Sequence, residues 1–273
     1  MILADYHMHS HHSGDSTAPM KDMIEKAIAL GLKNICFTEH MDMDYPDCYE
    51  GVTSETFFLD TDSYKKECLE LSSLYKDKID VGFGVELGVQ PQVADDNYNY
   101  VKKYGFDFVI ASVHLVDKED PYDKSFWQKD TKDNLFKRYF EATYENIKLF
   151  NDFDVLGHLD YMVRYIPEGE KTYSYEKCKE IVDEILLYLV KNDKGLDINT
   201  KALYSGMSFT NPRFEIIKRF KELGGKIITF GSDAHKPENI AGAFDIGKEI
   251  VLQAGFDSYY SFKNRIPTAH SLS

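Results

Sequence analysis

Residues 2–9 run Ile2-Leu3-Ala4-Asp5-Tyr6-His7-Met8-His9. An apolar segment of strand length here delivers two histidines one residue apart, and alternate residues of an extended chain share a face. A helix is expected next. Pro19 stands just inside its start and Gly31 at its C-terminal stop, while Met20, Met23, Ile24, Ala27 and Ile28 recur at three and four as its apolar face. Strand, histidine-bearing loop and amphipathic helix make one β/α unit, and the unit recurs along the chain. Strand-length runs at Ile2–Asp5, Asn34–Phe37, Val81–Val85, Asp107–Val113, Asp154–Leu156, Leu196–Ile198 and Lys226–Phe230 alternate with longer stretches of helical period. From Tyr175, the residues Cys178, Ile181, Val182, Ile185, Leu186 and Leu189 fall on one stripe. Before Gly224, Phe214, Ile217, Phe220 and Leu223 do the same. Alternation of this kind predicts a parallel sheet wrapped in helices.

The remaining properties of the chain bound what this α/β fold can be. Its 273 residues suit one barrel. With 43% hydrophobic and 29% charged residues it can build a large core, which excludes disordered, collagen-like and coiled-coil classes. No repeat, low-complexity tract or linker divides it, so residues 1–273 are expected to form a single domain. A net charge of −14 repels a phosphate backbone, so no nucleic-acid partner is expected. The longest aliphatic-aromatic run, Ile185–Val190, is flanked by Glu184 and Lys191 and is far short of the ~20 residues that span a bilayer. With no basic or apolar leader at the N-terminus, a cytoplasmic location is the expectation. The cysteines at 36, 48, 68 and 178 show no Cys-x-x-Cys spacing and are expected to be reduced thiols without assigned chemistry. Two insertions follow strands and are placed to overhang a site. One is Met41–Asp62, with Asp42, Asp44, Asp47, Glu50, Glu55, Asp60 and Asp62; the other is the polar stretch Asp117–Asp133. Most of these acidic side chains are expected to be solvated surface.

Function is read from where the histidines fall. His7 and His9 close the first strand, His40 the second, His114 the fourth, His158 the fifth and His235 the seventh; Glu86 ends the third, Asp233 precedes His235 by two, and Asp15 follows His9 in its loop. All strand C-termini of a parallel barrel open onto one face, so these side chains converge on a single mouth. A His-x-His pair alone can be two hydrogen-bonded barrel residues, and any one of His40, His114 or His158 alone is more often structural. Together they form an N/O donor set suited to zinc, manganese or iron. His11, His12 and His270 do not share the placement and are expected on the surface or behind the site.

The ordered motifs Asp5-Tyr6-His7-Met8-His9, Thr38-Glu39-His40, Glu86, Ser112-Val113-His114, Gly157-His158-Leu159-Asp160 and Gly231-Ser232-Asp233-Ala234-His235 resemble those of the polymerase and histidinol phosphatase (PHP) superfamily, and within it the histidinol-phosphate phosphatases. The resemblance runs from Asp5 to about Gly242. It implies a distorted seven-stranded (β/α)7, TIM-like barrel holding three divalent ions, zinc first and manganese or iron as alternatives. Carried over by motif, His7, His9, Glu86 and Asp233 would hold one ion; Asp15, His40 and His235 a second; Glu86, His114 and His158 a third. The implied activity is hydrolysis of L-histidinol phosphate, a small phosphate monoester, by a hydroxide shared between ions. Arg164 is the candidate fork on the phosphate, and Asp160 or Asp42 the proton donor to the leaving alcohol. One departure stands in Asn199-Thr200-Lys201-Ala202-Leu203-Tyr204, where the family often shows Asn-Thr-Ser-Gly-Leu-Arg. Tyr204 replaces a phosphate-binding arginine, and Arg213 is a candidate substitute.

Three alternatives stay open. One is a phosphoesterase acting on nucleotides or another small monoester, against which the acidic balance weighs. An amidohydrolase-type barrel also begins with His-x-His but needs eight strands. The third is a non-catalytic metal-binding PHP domain, a class that tends to lose ligands, whereas all nine positions are filled here. The oligomeric state is open.

Overall fold

The computed structural model describes residues 2–47 and 51–273; Cys48 and Glu50 lie outside the described residues. In chain order the elements are β1 (Ala4–Asp5), α1 (Met20–Ala29), β2 (Asn34–Met41), α2 (Thr61–Tyr75), β3 (Asp80–Gly88), α3 (Ala94–Tyr104), β4 (Phe108–Ser112), α4 (Lys132–Leu149), β5 (Val155–Leu156), α5 (Tyr175–Lys191), β6 (Gly195–Asn199), α6 (Lys201–Tyr204), α7 (Phe214–Glu222), β7 (Ile228–Gly231), α8 (Phe244–Gln253), β8 (Ser258–Lys263) and β9 (Ile266–Ser271). Strands β1 to β7 are parallel and pair in sequence order. The ring is closed between its first and last members, where Tyr6 N donates to Phe230 O at 2.8 Å and Met8 bridges Ala234. This is the (β/α)7 barrel that the resemblance implied. Its distortion is visible in strand length: β1 and β5 have two residues each, β3 nine. Strands β2 and β3 run further than their apolar pattern predicts. Thr38, Glu39 and His40 pair in register with Gly84, Val85 and Glu86, so the ladder continues into the polar residues that line the mouth.

The helices bury the faces that their periodicity marks, with two shifts. In α1, Met20, Met23, Ile24 and Ala27 are buried and Ile28 partly so, while Pro19 sits one position before the first helical residue rather than inside it. In α5, Cys178, Val182, Ile185, Leu186 and Leu189 face the core. In α7 the buried residues are Ile216, Ile217 and Phe220, and Phe214 is exposed. Phe214 is the first residue of that helix, so it lies at the rim rather than over the sheet. None of the described helices is long and apolar enough to cross a membrane.

The last two strands are absent from the periodicity reading. They form an antiparallel hairpin across the end of the barrel where the parallel strands begin. Phe262 stacks near Phe108 with centroids 4.9 Å apart and accepts a hydrogen bond from Tyr6 Oη at 2.9 Å. Asp107 accepts from Lys263 Nζ and from Asn264 N, each at 3.1 Å, and Arg265 Nε reaches Asp154 Oδ2 at 2.6 Å. Asn264 and Arg265 turn the hairpin at φ 50° and 66°, the left-handed pair that a two-residue turn of matching twist needs. That end is thereby plugged. The two insertions overhang the opposite end, where Tyr45, Phe57, Asp120 and Tyr122 form part of a cavity wall.

Candidate metal centre and its cavity

Strand ends bring all nine expected ligands to the open mouth, and Glu86 is their hub. Its Oε1 lies 2.8 Å from His158 Nε2 and 3.3 Å from His114 Nε2; its Oε2 lies 3.1 Å from both His7 Nε2 and His40 Nδ1 and 3.4 Å from His9 Nε2. Five imidazoles thus surround one fully buried carboxylate. His9 stacks on His40 with centroids 4.2 Å apart, and its ring centroid is 4.4 Å from that of His235. Asp15 Oδ2 is 2.8 Å from His235 Nε2 and 3.7 Å from His40 Nε2. Asp233 Oδ1 is 3.5 Å from His235 Nδ1 and 3.7 Å from His9 Nε2.

The donor chemistry fits divalent cations. Buried polar atoms almost always have hydrogen-bond partners, yet His7 Nε2, His9 Nε2, His40 Nδ1, Asp42 Oδ2 and Glu86 Oε2 have none. Burial, reinforced by His40 and His235, holds His9 well below the usual imidazole range, and burial takes His158 down to about 4. Neutral imidazole is the ligating form, and these two rings are held in it; against burial, the charges of Glu86, Asp197, Asp15 and Asp42 raise His7, His40 and His114. Burial alone would raise the Glu86 carboxyl; the charges of His7, His40 and His114 outweigh it and hold it well below the usual carboxylate range. Ligand atoms gather within 4.8 Å of one another in the groups His7–Glu86–His158, His7–His9–Asp233, His9–His40–His235 and His40–Asp42–His114. Asp42 therefore enters the cluster itself, beyond the proton-donor role that the sequence suggested.

Carboxylates behind the imidazoles orient them. Asp197 Oδ2 is 2.8 Å from His7 Nδ1, and Asp42 Oδ1 2.7 Å from His114 Nδ1, the second contact that fixes which ring nitrogen faces a metal. Asp197 escaped the sequence reading; its one signal is an acid inside the apolar strand Leu196–Ile198. Two glycines clear space for these contacts. A Cβ on Gly231 would lie 2.4 Å from His7 Cβ, and one on Gly88 would lie 2.0 Å from Asp42 Oδ1. Asp233 has φ 52°, a left-handed conformation that costs a non-glycine residue energy and that collects at functional sites. It is held there by its N–H on His7 O at 2.7 Å and by three side chains, Arg164, Asn199 and Lys201, that donate to its carboxylate.

The mouth opens into a cavity of about 330 Å³ lined by Asp15, His40, Asp42, His114, His158 and Asp233 on its floor. Its walls carry the aromatics Tyr45, Phe57, Tyr122, Tyr161 and Tyr165 and the cations Arg164 and Lys201. Arg164 is aimed by Asn211 Oδ1 and Asn199 Oδ1, each at 2.7 Å. Lys201 was not singled out in the sequence, although it stands three places before Tyr204; its Nζ lies 2.9 Å from Asp233 Oδ1 and 3.3 Å from His235 Nδ1. The structure does not bring Asp160, Arg213 or Tyr204 to the cavity. Asp160 is fully buried, with its oxygens taken by Tyr173 Oη, Asn211 Nδ2 and Arg213 N. Arg213 lies over the Tyr173 and Phe209 rings and donates to Thr172 Oγ1, while Tyr204 Oη is turned onto the backbone oxygen of Asp233. His270 also lies elsewhere, paired with Ser261 in the hairpin.

The family model described as PHP domain matches residues 5–201. A Lactococcus lactis histidinol-phosphatase is 33% identical over 268 residues, covering 96% of this chain and 95% of that protein. A Clostridium acetobutylicum protein named "probable histidinol-phosphatase" is 34% identical over 88% of this chain and 89% of its own. Among solved structures, the L. lactis histidinol phosphate phosphatase complexed with zinc, L-histidinol and phosphate superposes with a TM-score of 0.85, covering 97% of this chain and 98% of that one at 33% identity. A Listeria monocytogenes structure at 21% identity and a TM-score of 0.77, covering 89% of this chain and 99% of that one, shares the fold.

Proposed function

Because the chain belongs to the PHP domain family, we propose that it is a metal-dependent phosphomonoesterase that hydrolyses L-histidinol phosphate to L-histidinol and inorganic phosphate. The observation that carries this reading is one cavity whose floor is a dense N/O donor set and whose walls hold two cations and five aromatic rings. The nine converging ligands support three ions, and imidazole with carboxylate suits zinc. Bound divalent ions would neutralise a phosphate dianion and lower the pKa of water toward about 7.

The chain's own side chains do the rest. Arg164, with its planar fork fixed by two asparagines, takes phosphate oxygens bidentately, and Lys201 beside Asp233 adds a second cation. Both offset locally the repulsion of a chain whose net charge is −14. The aromatic walls receive the substrate imidazole, and the Asp120 carboxylate on the same wall meets its ammonium. Of the two carboxylates expected to protonate the leaving alcohol, Asp42 is the one that lines the cavity.

The test is phosphate release from L-histidinol phosphate beside a panel of nucleotides and simple phosphomonoesters, on protein of measured metal content. A kcat/KM for histidinol phosphate far above the panel, lost on chelation, is the expected result. Turnover of the panel alone would move the substrate, and full metal with no turnover would leave a non-catalytic domain.

A further inference from the structure

A second group of metal-ligating side chains lies outside the mouth. His11 and His12 sit on the turn between β1 and α1, and Glu67 projects from α2. Glu67 Oε2 is 2.9 Å from His12 Nε2 and 3.3 Å from His11 Nε2, and the two ring centroids are 4.3 Å apart. The three ligand atoms lie within 4.8 Å of one another. Consecutive residues of an extended chain point to opposite sides; here a turn folds two consecutive imidazoles onto one oxygen. Zinc bonds of about 2.0–2.1 Å at tetrahedral angles put neighbouring ligand atoms roughly 3.3–3.4 Å apart. The two nitrogen–oxygen separations are already close to that spacing.

The donors are held in place by the surrounding fold. His11 N donates to Ala18 O at 2.8 Å, and the His12 ring lies against Tyr64, which is fully buried and donates to Phe37 O and Gly84 O. Glu67 is three residues beyond Tyr64 on α2, and so shares its face. Among the described residues, Glu67 forms ion pairs with these two imidazoles and with no lysine or arginine. The side chains of His11 and Glu67 are 41% and 34% exposed, so the place a cation would take is open to water, unlike the floor of the cavity.

We propose that His11, His12 and Glu67 form a separate, exchangeable site for a borderline divalent transition metal such as zinc, with water completing the coordination. An ion there ties α2 to the loop that leads from His9 to Asp15, and so braces one rim of the mouth.

The experiment uses holoprotein whose tightly held metal has been counted, dialysed free of loose ions and titrated calorimetrically with Zn²⁺. The wild type should take up one further equivalent and gain thermal stability as it does. His11→Gln and Glu67→Gln should lose both effects while keeping the tightly held metal and the basal phosphate release; both positions are exposed enough to spare the fold. No further equivalent in the wild type, or an unchanged one in both variants, would overturn the site. Co²⁺ gives a second readout: the visible d–d band of the extra equivalent should be present in the wild type and missing from each variant's difference spectrum.

Discussion

Glu86 touches five imidazoles, so one substitution there reaches most of the cluster. Glu86→Gln keeps the shape and removes the charge. Phosphate release should fall by on the order of 10³-fold, the scale on which a preorganised charge acts, and metal content by mass spectrometry should fall with it. Asp197 works at one remove, through His7 Nδ1. Asp197→Asn should weaken metal affinity or activity by about 10–100-fold, and added Zn²⁺ should recover part of the loss, which a misfolded variant would not allow. Asp5 supplies a pH signature. Burial pushes its carboxyl from the ordinary 3.8 up to about 6. The folded chain therefore keeps a proton that the unfolded chain has released, and stability declines as pH rises from about 4 to about 6, by at most about 3 kcal/mol. Denaturant titrations across that window should show a shallower slope in Asp5→Asn than in the wild type, the remainder coming from Asp154, Asp160 and Asp197, which burial also raises; an equal slope in both would remove Asp5 as a cause.

At the scale of elements, the parts legible from sequence were those with a repeating signal. Seven strands and the faces of α1 and α5 follow from apolar spacing, and the convergence of the candidate ligands follows from histidines and carboxylates at or just beyond strand ends. What escaped has no period. Lys201 and Asp197 are single charged residues whose meaning lies in distant partners, Asp233 and His7. Asp160 sits two residues after His158, as a donor might, but Tyr173, Asn211 and Arg213 draw it into the protein. The β8–β9 hairpin turns on Asn264-Arg265 rather than on a glycine, so nothing local announces it. Its contribution is nevertheless large, because Phe262 is buried against Phe108. Phe262→Ala should cost about 3–5 kcal/mol in chemical denaturation, while kcat per folded molecule stays near wild type, since the hairpin plugs the end opposite the mouth.

Across the whole molecule, a strongly acidic chain has gathered its chemistry into a single opening. Treatment with dipicolinate should abolish phosphate release, and stoichiometric Zn²⁺ should restore it, with the helical circular dichroism unchanged between the two states, because the helices pack on the sheet through apolar faces that hold none of the candidate ligands. Failure of the fold on chelation would instead make the ions structural. The plugged end has a practical meaning as well. Leu3 N meets Tyr259 Oη at 3.1 Å, and Leu272 N donates to Asp257 O at 2.9 Å, so the residues before β1 and after β9 are both tied to the hairpin end, on the face away from the cavity. A bead or electrode coupled at the hairpin, through a cysteine placed at the exposed Ile266, would leave the opening facing solution, and the immobilised protein should keep the KM it shows when free.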